Sequence, residues 1–121
     1  MWSTLRAALG LAAFLTFAPG AFGHAFLDHA APAVGSTIRT APPSIRIWFT
    51  QELEPAFSTV RVIDANGNVV ASSDKAVDAS DRTLLHLPIP ALPPGTYRVV
   101  WRVLSVDSHV TEGDFKFSVA P

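Results

Sequence analysis

A few histidines and carboxylates of this 121-residue chain have side chains that could bind a metal ion. Asp107 and His109 are two positions apart, so in an extended segment both side chains point to the same side and can contact one ion. The segment 105–109 follows a predicted strand and precedes a predicted turn at 111–113. An Asp-x-His triplet alone is more typical of a solvated loop. A metal site therefore needs a further ligand.

The start of the chain predicts where that ligand comes from. Arg6, the apolar run from Ala7 to Phe17 and the small-x-small triplet Ala21-Phe22-Gly23 are typical of a secretory signal peptide. We therefore predict a leader at 1–23 and one exported domain at 24–121. Gly23-His24-Ala25 also satisfies the small-x-small rule, so the sequence leaves open a cleavage after Ala25 that would remove His24.

Cleavage before His24 would turn one residue into two ligands. The free α-amine and the Nδ1 atom of the same residue can close a six-membered chelate ring around a metal ion. Their reference pKa values are about 7.7–8.0 and about 6.5, and both donors bind only when deprotonated, so we expect binding to weaken on acidification. With Asp107 and His109 the donors would be one amine nitrogen, two imidazole nitrogens and one carboxylate oxygen. This set favours Cu(II), with Zn(II) as the obvious competitor.

The other histidines and the absence of sulfur from the predicted domain limit which further side chains could be ligands. His29 is interpreted as an exposed polar residue, with an approach to the ion as the alternative. His86 alternates with Leu85 and Leu87, so we expect it to point away from the core and assign it no role. The chain has no cysteine, and its single methionine is Met1. The predicted domain therefore offers neither a thiolate nor a thioether.

The segments that must position these ligands are predicted to be strands, because their apolar residues alternate with a period of two. In 44–50, Ile45, Ile47 and Phe49 share one face and the residues between them share the other, as in a half-buried strand. Further strands are predicted at 58–63, 68–71, 83–89, 97–104 and 114–119, with turns at 64–67 and 92–95 and a loop at 51–57. Trp48 and Trp101 lie in strands and are interpreted as packing residues. The fold class is all-β, a small Greek-key sandwich or barrel of about seven strands.

Composition excludes several classes of function. The predicted domain has 8 basic and 10 acidic residues and no basic cluster, which disfavours nucleic-acid binding. No glycine-rich phosphate loop and no strand-to-helix nucleophile elbow is present. No segment after the leader is apolar enough to be a membrane helix.

Three segments together resemble the CopC family of periplasmic copper-resistance proteins. They are His24-Ala25-Phe26-Leu27 with the following 31–36, then Pro94 to Trp101 with 105–109, and Gly113-Asp114-Phe115-Lys116-Phe117. The resemblance covers 24–121. It implies a cupredoxin-like or immunoglobulin-like Greek-key barrel or sandwich without catalytic residues, in which His24, Asp107 and His109 bind Cu(II).

The resemblance also implies a cellular role. It points to a non-enzymatic monomer in the periplasm that sequesters Cu(II) or delivers it to an inner-membrane importer of the CopD type. Two departures are visible, because some members carry a methionine-rich Cu(I) loop and many carry a histidine where this chain has Phe26. A Cu(II)-only member is therefore expected.

Two other functions compete with this prediction. An N-terminal histidine paired with a second histidine also resembles the copper brace of lytic polysaccharide monooxygenases. Such enzymes need a broad flat binding surface, for which 98 residues leave little area. The other alternative is a sandwich domain that binds partners and no metal.

Overall fold

The structure, a computed structural model, describes residues 25–121. The predicted signal peptide at 1–23 and the predicted ligand His24 lie outside the described residues. Within 25–121, no helix is long and apolar enough to cross a membrane.

Eight strands in two sheets make up the described part of the chain, which confirms the all-β prediction. They are β1 Leu27–Ala31, β2 Thr37–Ile38, β3 Ser44–Phe49, β4 Thr59–Ile63, β5 Val69–Ser73, β6 Leu84–Pro88, β7 Gly95–Leu104 and β8 Val110–Val119. One sheet has the order β1-β3-β6 and the other the order β2-β8-β7-β4-β5. The two sheets form a sandwich around one core.

The core follows from the alternation of apolar residues along the strands. Ile45, Ile47 and Phe49 on β3 are buried as predicted, and on β6 Leu85 and Leu87 are buried. His86, between these leucines, is half-buried, which agrees with its predicted outward orientation. Each fully buried aliphatic side chain contributes about 1.5–3 kcal/mol of hydrophobic stabilisation. This core fixes the sheets that carry the candidate ligands.

Two short strands and a helical turn depart from the sequence prediction. β1 was not predicted because its register against β3 shifts between Leu27 and His29, which breaks the period of two. β2 has two residues and pairs with β8 in parallel, so the sandwich is not wholly antiparallel. A single 3₁₀ turn, Pro55–Phe57, occupies part of the predicted loop 51–57.

The predicted turn at 111–113 is wrong, because these residues belong to β8. Gly113 is paired with Trp101 across the β7–β8 ladder. A Cβ atom at this position would lie within 3.0 Å of three atoms of the Trp101 ring, Cζ2, Cη2 and Cε2. The glycine therefore allows close packing of an indole and marks no turn. The same indole packs edge-to-face on Phe49, with ring centroids 5.0 Å apart.

We expect Gly113→Ala to lower the free energy of unfolding by about 1–3 kcal/mol, because the added methyl group overpacks the Trp101 ring. Urea unfolding followed by circular dichroism measures the effect. In a Trp101→Phe background the smaller ring leaves room, so the same substitution is expected to cost less. An equal cost in both backgrounds would contradict this explanation of the glycine.

Candidate metal centre

Asp107 and His109 lie in the five-residue loop that joins β7 to β8. The loop is closed at its base, where the Ser105 N–H donates to the His109 carbonyl at 3.0 Å. Inside it the Ser108 N–H donates to the Ser105 carbonyl at 2.9 Å, and Ser108 has a left-handed backbone with φ of 76°. The segment is thus a tight turn, and the extended conformation expected from the sequence is wrong.

The turn nevertheless brings the two predicted ligands into contact. Oδ1 of Asp107 and Nδ1 of His109 are 3.2 Å apart, and the side chains are 37% and 52% exposed. Two ligand atoms each about 2.0–2.1 Å from one ion would be about 2.9 Å apart at a right angle and about 3.4 Å apart at a tetrahedral angle. The pair is therefore spaced as two neighbouring ligands of a single ion, and it is open to solvent.

A buried serine holds the carboxylate of this pair. The Ser105 hydroxyl donates a hydrogen bond to Oδ1 of Asp107. This bond is the largest influence on the pKa of Asp107, which lies below its ordinary value; partial desolvation opposes the shift, and contacts with His109 add to it. At neutral pH the carboxylate is accordingly ionised and suited to a cation.

The first described residues of the chain are fixed close to this loop. Ala25 is fully buried, and its carbonyl accepts a hydrogen bond of 2.7 Å from Oγ1 of Thr111, two residues after His109. The next residue, Phe26, donates its N–H to Oγ1 of Thr50 at 3.0 Å and accepts from the Thr50 N–H at 2.9 Å. Thr111 and Thr50 thus hold the N-terminal segment from two sides.

The other two histidines, His29 and His86, do not form a group of ligands with the Asp107 and His109 pair. His29 is stacked on Trp48 with ring centroids 4.4 Å apart, and its Nδ1 contacts Oδ2 of Asp28 at 2.8 Å. Trp48 is half-buried on the outer face of the β1-β3-β6 sheet, where it stacks on His29 outside the core, so the core packing predicted for it is wrong. His86 lies on β6, opposite Arg46 of β3. Among residues 25–121, no three His, Cys, Asp or Glu side chains group around one point.

Sequence reasoning missed Ser105 and Thr111, which support the site. Thr111 lies on β8, where the sequence predicted a turn, so the pattern did not reveal its contact with the N-terminal segment. Its partner Ala25 is 86 positions away, and no local signal announces that contact. The burial of Ser105 depends on its bridge to Leu53, which is likewise a long-range contact.

Comparison with known proteins agrees with this architecture. The model of the CopC domain matches residues 27–120. The chain belongs to the CopC family. It is 32% identical over 117 residues to protein YobA of Escherichia coli strain K12, covering 96% of this chain and 94% of the relative.

Two further relatives differ in how much of their own length this chain matches. The copper transport protein CutJ of Bacillus subtilis is 28% identical over 108 residues, which are 88% of this chain but 20% of that protein. The crystal structure of CopC from Methylosinus trichosporium OB3b superimposes with a TM-score of 0.72 at 34% identity, covering 81% of this chain and 95% of that one. The CopC sandwich therefore occurs both by itself and as a small part of a longer chain.

Proposed function

We propose that the protein, once cleaved before His24, binds Cu(II) in the periplasm and contributes to copper homeostasis. Its ligands are the α-amine and imidazole of His24, the carboxylate of Asp107 and the imidazole of His109. Membership of the CopC family and the copper function named for the relative CutJ support this proposal.

The observation that carries the proposal is the hydrogen bond between Thr111 and Ala25. His24 directly precedes Ala25 in the sequence, so it is joined to Ala25 by a single peptide bond. Ala25 is in turn held at 2.7 Å by a residue two positions from His109. The described chain therefore begins at a residue that β8 holds two positions after His109, and His24 is its neighbour in the sequence.

The donor atoms favour Cu(II) over other cations. Nitrogen donors with one carboxylate suit a tetragonal site, and Cu(II) is the strongest binder of such sets among the divalent first-row metals. Residues 24–121 contain neither cysteine nor methionine, so the soft donors that stabilise Cu(I) are missing. We infer a role in holding Cu(II) without redox catalysis, because the carboxylate disfavours cycling to Cu(I).

Delivery to an inner-membrane transporter of the CopD type is the second part of the proposal. The matched region forms about one fifth of the copper transport protein CutJ. A CopC domain attached to a transport protein would hold its metal close to the membrane. By transient contact with such a transporter, the present chain would also hold Cu(II) close to the membrane. Its exposed ligands would then permit release of the ion.

The direct test is a metal titration of protein whose N-terminus at His24 has been verified by intact mass. We expect one Cu(II) per chain in competition with a chromophoric chelator, and an about tenfold excess of Zn(II) is expected to leave most of it bound. Failure to bind Cu(II), or full displacement by Zn(II), would count against the proposed function.

A further inference from the structure

Ser105 is fully buried at the base of the β7–β8 loop, which carries the proposed ligands Asp107 and His109. It forms an isolated bridge with Leu53, which lies outside the hairpin, and its N–H and carbonyl bind His109 and Ser108 within the loop. Its backbone is therefore held from both sides. The position of its side chain is set by the fold and does not depend on a bound ion.

The hydroxyl group of Ser105 connects the two loop ligands. Oγ donates to Oδ1 of Asp107 and lies 3.4 Å from the His109 backbone nitrogen, whose N–H it accepts. Oγ is also 3.2 Å from the His109 carbonyl. Since a hydroxyl has one proton and the carboxylate is the charged acceptor, donation to Asp107 and acceptance from His109 satisfy the group at once.

Oδ1 of Asp107 is thus shared between Ser105 and the imidazole of His109. This double contact sets both the rotation of the carboxylate and its distance from the ring. Without it, an exposed aspartate in a turn would sample several rotamers, and ordering it would reduce the affinity for the ion.

We propose that Ser105 is a positioning residue that presets Asp107 and His109 for Cu(II). The inference rests on the proposed function, since it assigns these two side chains as ligands. Ser105 touches no ion itself. It acts through Asp107, as the outer partners of metal ligands generally do.

The chain offers a matched control in Ser58, the other fully buried serine of the described residues. Its hydroxyl donates to the Glu54 carbonyl at 2.9 Å and accepts the Leu104 N–H at 3.2 Å. It therefore lies next to the end of β7, as Ser105 does, but its described hydrogen bonds reach neither Asp107 nor His109. Ser58→Ala and Ser105→Ala remove the same atom from equally buried sites.

The first experiment measures Cu(II) affinity and the Cu(II) electron paramagnetic resonance spectrum of both variants. Ser105→Ala is expected to weaken binding by about 10–100-fold and to change the spectrum, whereas Ser58→Ala stays within about threefold with an unchanged spectrum. In an Asp107→Ala background, Ser105→Ala is expected to cause no further loss. Equal effects of the two serine variants, or a full additional loss in the Asp107→Ala background, would overturn the positioning role.

A second measurement needs no metal and separates this inference from the proposed function. Long-range ¹H–¹⁵N spectra of the metal-free protein report the tautomer of His109, which the contact with Asp107 biases. The bias is expected in the unmodified protein and in Ser58→Ala, and it is expected to disappear in Ser105→Ala. Its persistence in Ser105→Ala would refute the positioning role even if the protein bound no copper, while absence of copper binding alone would refute the proposed function.

Discussion

A form of the protein with one extra alanine before His24 is expected to bind Cu(II) at least about 100-fold more weakly than the form that begins at His24. The added residue converts the α-amine into an amide, which is neither basic nor free to chelate. Loss of a partner outside the ligand shell already costs about 10–100-fold in metal affinity, so loss of a ligand and its chelate ring costs at least the upper end of that range. Competition titration against a chromophoric chelator measures the difference.

Two matched forms control this experiment. A protease that removes the extra alanine should restore the affinity in the same sample, which excludes misfolding as the cause. A chain that begins at Phe26 lacks His24 and also the Ala25 carbonyl that Thr111 binds, so it should be at least as weak as the extended form. Equal affinity of all forms would show that the N-terminus is not a ligand.

His109→Ala is expected to reduce the affinity for Cu(II) by at least about 100-fold with little change in folding. The substitution removes a direct ligand, while the side chain is 52% exposed and its backbone continues to close the loop through Ser105. Surface substitutions of this kind change the free energy of unfolding by about 0.5 kcal/mol or less. Thermal unfolding and metal titration of the same preparation separate the two effects.

His86→Ala and His29→Ala are the controls for that variant. His86 is on β6, and His29 is stacked on Trp48, so both should retain the affinity of the unmodified protein. His29→Ala should also change the fluorescence of Trp48 without affecting the metal. If His29→Ala weakened binding as much as His109→Ala, the ion would have to lie elsewhere, and the assigned ligand set would be wrong.

Much of the fold was predictable because the core uses regular alternation. On β3 the inward residues are Ile45, Ile47 and Phe49. This alternation indicates a strand, because successive side chains of a strand point to opposite faces of the sheet. β1 was not predictable in this way, since the register shift at His29 disrupts its pattern. Gly113 was misread as a turn residue because the need for close packing against Trp101 is invisible without the neighbouring strand.

The candidate site was likewise predictable only in part. The sequence by itself determined which donors are proposed, namely the nitrogens of His24, the Asp107 carboxylate and the His109 imidazole, and it excluded sulfur from 24–121. These are properties of residue type. Only the tertiary structure decided that a tight turn brings Asp107 to 3.2 Å from His109 and that Thr111 holds Ala25 beside it. Such contacts depend on sheet order and register, which join residues 86 positions apart and leave no trace in a local pattern.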